Sequence, residues 1–294
     1  STSDSRCLLD TGKLGKNAYL KWCVLIVLVA APLVYYFNIS HIPSDLNKTS
    51  LVLFNLLYTL LAVAGFSLAA LRSQRISRQN SLGWLFLALG MFLVLLANCL
   101  WLLQRPITFF SIMSQADVAY ASSYLMFFTS MAFFAAQKFH RIEWLKRALD
   151  VSIILVVIFL AFLIFLFKPI VIANQEISDA GSILLLLYHL ADMIFLLSVL
   201  AVIYLRPHRM YLTPVWIMIG SILILPFTDY GFCQSMITDS SNSNQLINIG
   251  WWYGDLIFAI AGFLQARYAK DYQGVRKKTS KVDVIRHRIY AWLA

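Results

Sequence analysis

Residues 84–104 read WLFLALGMFLVLLANCLWLLQ. No charge interrupts the run, and as a helix it is long enough to cross a bilayer, which takes about 20 apolar residues. It is continuous rather than alternating, so it is not a strand of a β-barrel. The span it belongs to covers about 82–103, and seven further runs of the same kind lie around it, at about 19–37, 51–71, 115–136, 149–167, 181–204, 213–233 and 247–268. The composition agrees. Of 294 residues, 60% are hydrophobic and only 13% charged, about half the usual charged share of a soluble domain. Too little polar surface exists to cover a water-soluble fold. Disorder is excluded on the same ground, and four cysteines make no disulfide framework. The first run is long and no small-residue cleavage motif follows it, so it does not read as a signal peptide.

Basic residues set the orientation, because cytoplasmic loops carry the excess of Lys and Arg. Arg6 to Lys21, Arg72 to Arg78, Lys138 to Arg147, Arg206, Arg209 and the tail from Arg267 fall on one side. Only Lys48, Arg105 and Lys168 fall on the other, out of 24 basic residues. Both termini are therefore expected in the cytoplasm. The net charge of +10 then reports topology and contact with anionic lipid of the cytoplasmic leaflet, not nucleic acid.

The two halves resemble each other at an offset of about 130 residues. The run from Trp84 and the run from Trp216 both reach a polar residue near the outer end, Asn98 or Asp229. Gln104 or Gln234 then follows. The next spans carry Asp117, Tyr120 and Tyr124 in one half against Asn248, Trp251 and Asp255 in the other. Leu57-Tyr58-Thr59 stands against Leu187-Tyr188-His189. Four spans per unit give both halves one orientation, as in parallel repeats. The expected fold is all-α: a polytopic membrane helix bundle of eight transmembrane helices with a 4+4 parallel internal repeat. Its segments are a cytoplasmic 1–18, repeats at 19–136 and 137–268, and a basic amphipathic tail or linker at 269–294.

Acids inside spans are costly and usually face the bundle interior. Asp117, Asp192, Asp229 and Asp255 are four such acids out of 14 acidic residues, and all fall in the outer half. Asp192, Asp255 and His189 lie about 10–16 Å below the outer surface at 1.5 Å per residue. Tyr120, Tyr124, Tyr188 and Trp251 accompany them. Two readings stand side by side. In one, these nine residues line an outward-facing pocket for a small polar or cationic molecule, through carboxylate pairing and cation–π contacts. In the other, each acid is protonated or bonded to a neighbouring helix and fixes packing. His189 shares a helix face with Asp192, a pair that either relays protons or packs as a core residue.

No catalytic motif of the HExxH, GxSxG, CxxC or P-loop kind occurs, and the loops are too short for an extramembrane catalytic domain. The chain is not expected to be an enzyme. No cofactor is implied: a bis-His haem lacks a second mid-membrane histidine, and a retinal protein lacks a mid-span lysine. In the tail, Val282, Ile285, Ile289, Trp292 and Leu293 recur at three- and four-residue steps. They predict an amphipathic helix with a basic face, either lying on anionic lipid or leading into a cytoplasmic domain. A start without Met, and an end at Ala294 without a capping signal, point to a fragment of a longer protein.

From Asp117 to Gln265 the order of landmarks resembles the multi-span N-terminal sensory region found before GGDEF and EAL domains in bacterial signalling proteins. The matching residues are Ala116-Asp117 with Tyr120 and Tyr124, then Leu149-Asp150 and Tyr188 with Asp192. Thr228-Asp229-Tyr230 and Trp251 with Gly254 complete the set. His189 departs from an expected proline and Asp255 from an expected aromatic, and no output domain is present. The resemblance implies a sensory or regulatory module of a bacterial cytoplasmic membrane. Expected partners are membrane lipid, a small-molecule ligand, a cytoplasmic output domain or protein, and a second copy of the chain. A secondary transporter and an accessory subunit of a larger complex are the competing functional readings. An intramembrane enzyme is the remaining one.

Overall fold

A computed structural model describes residues 28–35, 44–103, 114–135, 179–205, 212–237 and 243–293, with isolated positions at 26 and between 149 and 164. Two compact units divide the chain at Ser50/Leu51. In the first, residues 28–35 are helical. The second holds the six helices that matter here. They are α1 (Ser44–Ser73, from Leu51 onward), α2 (Arg78–Leu103), α3 (Gln115–Ala135), α4 (Asp179–Leu205), α5 (Leu212–Ile237) and α6 (Ser243–Leu293). Among the described residues there is no strand.

These runs are helical because lipid offers the backbone no hydrogen-bond partner, and a helix satisfies its own. Among the described residues, four helical segments are long and apolar enough to span: Ser50–Ser73, Arg78–Leu103, Gln115–Ala135 and Ile247–Tyr272. The chain is a multi-pass membrane protein. Shorter apolar helical segments, Leu190–Ile203 and Thr213–Asp229, lie where the sixth and seventh runs were expected. Most of the expected runs at 149–167 and 19–37 lie outside the described residues. Exposed Leu53, Trp101, Leu125 and Phe227 would be a liability in water. At 60% exposure or more, they instead form a lipid-facing surface.

Local signals set the helix ends. Ser114 and Asp117 form a capping box at the start of α3. The Asp117 backbone N–H donates to Ser114 Oγ at 3.2 Å, and the Ser114 backbone N–H donates to Asp117 Oδ2 at 2.8 Å. Each bond satisfies an amide that has no partner within the helix. Between α1 and α2 the backbone turns sharply, with Ile76 and Ser77 both donating to the Ser73 carbonyl. That short connection makes α1 and α2 neighbours, pinned where Ser81 Oγ donates to the Ala70 carbonyl at 2.9 Å.

Packing follows a closed cycle. α2 lies against α3, α4 joins α3 to α5, and α5 lies against α6. α1 closes the cycle. Its Phe66 ring stands 5.7 Å from Trp84 of α2 and 5.7 Å from Phe258 of α6. The α1/α6 crossing brings backbone onto backbone. A Cβ added to Gly262 would sit 2.5 Å from the Gly65 carbonyl carbon, and one added to Gly65 would sit 2.8 Å from the Ala259 oxygen. Small residues permit such close approach between membrane helices. Across the molecule, Phe127 of α3 stacks on Phe195 of α4 at 4.9 Å. α6 is one uninterrupted helix of 51 residues. At 1.5 Å per residue it continues about 30 Å past Tyr272, the end of its apolar segment.

Candidate functional site

The intramembrane polar residues meet near one end of this cycle, in two hydrogen-bonded relays. The first begins at Tyr120 on α3, whose hydroxyl donates to Asn98 Oδ1 on α2. The Asn98 amide donates to Thr59 Oγ1 on α1 at 3.3 Å. The Thr59 hydroxyl donates to Asp255 Oδ2 on α6 at 2.5 Å, and the same oxygen lies 2.8 Å from the Asn55 carbonyl one turn back. Thr59 is fully buried and Asp255 is 7% exposed. This relay crosses α3, α2, α1 and α6.

The second relay runs the other way round the cycle. Tyr124, one turn beyond Tyr120, donates to Asp192 Oδ1 on α4 at 2.5 Å. The Asp229 carboxyl on α5 lies within hydrogen-bonding reach of Asp192. Trp251 on α6 donates from Nε1 to Asp229 Oδ1 at 2.6 Å. Asp192 is 4% exposed, and its Oδ2 has no hydrogen-bond partner. Both relays therefore start on α3 and end on α6, at Trp251 and Asp255, one turn apart.

Of the nine residues singled out from the sequence, six sit in these relays: Tyr120, Tyr124, Asp192, Asp229, Trp251 and Asp255. Asp117 and Tyr188 form a separate pair on α3 and α4. The Tyr188 hydroxyl donates to Asp117 Oδ1 at 3.1 Å, while the other Asp117 oxygen is engaged by Ser114 in the cap. Tyr188 still touches the relays through its ring, 6.5 Å from Tyr120 and 6.4 Å from Tyr124. His189 lies on α4, and its side chain is outside the described residues. Thr59 and Asn98 are the additions the structure makes to the set. Their signal in the sequence is a polar residue inside an apolar span, at the position that corresponds between the halves to His189 and to Asp229.

The relay residues are packed into the bundle. A cavity of about 490 Å³ lies instead on α5 and α6, lined by Leu223, Ile224, Phe227, Thr228, Gly231 and Ile247. Its walls are mainly apolar and carry no acid. Among the described residues no cation pairs with a relay acid. The ion pair there is Arg267 with Asp271, exposed on α6. Nor do the described residues hold a group of three or more His, Cys, Asp or Glu able to grip a metal. The chemistry on offer is hydrogen bonding and proton exchange between carboxyl, phenol, hydroxyl and amide groups. No family model, curated protein or solved structure matches the chain.

Proposed function

We propose that the chain is an integral membrane sensory or regulatory module, in which the relay residues respond to a small polar or cationic ligand from the outer side and α6 carries the response to a cytoplasmic output. One observation carries this reading. Both relays end on α6, one turn apart, and α6 runs unbroken beyond its apolar segment. A ligand acts only through differential affinity for two packings. Any agent that changes the bonding at Asp255 or Trp251 thereby biases the position of a helix that leaves the membrane.

The finer architecture belongs to the same proposal: eight spans in a 4+4 parallel repeat, with both termini in the cytoplasm of a bacterium. Support for the repeat comes from matched contacts. Tyr120 to Asn98 and Trp251 to Asp229 are bonds of the same kind, each between residues 22 apart. Phe127 meets Phe195 at the α3/α4 contact and Phe258 meets Phe66 at the α6/α1 contact, one residue apart in the register of the halves. The resemblance to regions preceding GGDEF and EAL domains fits a module of this type.

A distance measurement tests the reading. Spin labels at Arg75→Cys and Lys270→Cys, both exposed, report the position of α6 relative to the α1–α2 turn in lipid nanodiscs. Adding Asp255→Asn should shift the distance distribution while helix content stays unchanged. An unshifted distribution in a folded protein would assign the relays to packing alone. An accessory subunit would then be the better reading, and substrate flux in proteoliposomes would instead mark a transporter.

A further inference from the structure

We infer that Asp192 and Asp229 bind a single proton between them, as a protonatable site of the module. The inference rests on the sensory reading for its consequence, and on the geometry alone for its existence.

The donor count carries it. Each carboxyl already accepts one hydrogen bond on Oδ1, from the Tyr124 hydroxyl and from the Trp251 indole respectively. The two groups face each other within hydrogen-bonding reach. Asp192 Oδ2, nine-tenths buried and more, receives no donor from the protein. In the first relay the corresponding link is made by an amide N–H of Asn98 pointing at a hydroxyl. The second relay has oxygen against oxygen at that place. One proton converts this contact into an O–H···O bond and removes one of two like charges that repel each other.

The surroundings leave a proton as the occupant. The groups that face the pair from the packed elements are Tyr124 of α3, Tyr188 of α4 and Trp251 of α6, with Asp117, Tyr120 and Asp255 beyond them. Among the described residues these are all neutral or acidic, and no basic side chain among them neutralises the pair. A calcium or magnesium ion takes six or more oxygens and zinc takes four ligands, whereas a proton needs two. Release breaks one carboxyl O–H bond. The electron pair stays on the carboxylate, and the proton passes to water on the outer side. Two negative charges are then left in contact across α4 and α5, next to the indole bond that anchors α6.

Infrared spectroscopy of the full chain in nanodiscs reads the proton directly, through the C=O stretch of a protonated carboxyl and its shift in heavy water. The band is expected in the wild-type protein at neutral pH. Its intensity should fall in Asp192→Asn and in Asp229→Asn, while the component lost there persists in Asp255→Asn, which removes the other buried acid among the described residues, and in Asp271→Asn, an exposed position on α6. Asparagine supplies the missing N–H, so both variants should fold. Should either fail to fold, Tyr124→Phe removes the hydroxyl that bonds Asp192 and must move the wild-type band. Absence of the band, survival of its full intensity in either aspartate variant, or an unmoved band in Tyr124→Phe would overturn the shared proton. None of these outcomes alters the labelled-helix measurement, which judges the sensory reading separately.

Discussion

The two relays are built alike and differ at one link. Each runs from a tyrosine on α3 to α6, through one polar residue on each of two intervening helices. The first has an amide and a hydroxyl in the middle, so every step has a donor. The second has two carboxyls there and lacks a donor for Asp192 Oδ2. A closed relay lowers the cost of polar groups in a membrane, because each link has a donor. An open one leaves an acceptor that some exchangeable species must satisfy. The comparison separates a fixed tie, at Asn98 and Thr59, from an adjustable one, at Asp192 and Asp229.

The interfaces beneath the relays differ in the same sense. The fixed tie rests on the glycine crossing of α1 and α6, where no side chain intervenes. The adjustable tie rests on the Phe127–Phe195 stack of α3 and α4, where side chains rather than backbones meet. The strongest way to break the comparison is therefore Gly262→Val. It drives a side chain into the Gly65 backbone and should cost about 3 kcal/mol of stability, at the upper end for overpacking. Thermal unfolding in nanodiscs measures the loss, and an unchanged midpoint would mean that the crossing yields.

Thr59→Val comes next. It keeps the volume, removes the donor to Asp255 and strands the Asn98 amide, for about 2 kcal/mol. If the unfolding midpoint did not fall, the first relay would not be a tie. Asp229→Asn should have the smallest effect, within about 1 kcal/mol of wild type and of either sign. It makes the second relay chemically like the first. A large loss of stability would show that the carboxylate at that place has a partner other than Asp192.

Much of this is legible in the amino-acid sequence. The apolar runs mark the helices, and the polar exceptions inside them mark the relay residues. The pairing is not legible. Thr59 and Asp255 are 196 residues apart and Tyr124 and Asp192 are 68 apart, and spacing along a chain fixes only which residues share a helix face. Asp117 has two sets of partners, Tyr188 and the cap residue Ser114. Its place beside Tyr120 and Tyr124 groups it with the site, while its bonds to Ser114 are those of a helix cap. Thr59 and Asn98 carry no charge, so they stand out as landmarks between the halves rather than as partners of an acid.

The central claim is that the two relays act together because they share helices at both ends. A double-mutant cycle between Thr59→Val and Tyr124→Phe tests it most directly, since the two side chains lie in different relays. Unfolding free energies of the wild type, both single variants and the double variant are required, in one lipid composition. The account predicts sub-additive losses, with the double variant more stable than the sum of the single losses implies by more than about 0.5 kcal/mol, beyond the usual error of independent sites. Additivity within that margin would contradict it, and would make each relay a local contact with no common effect on α6.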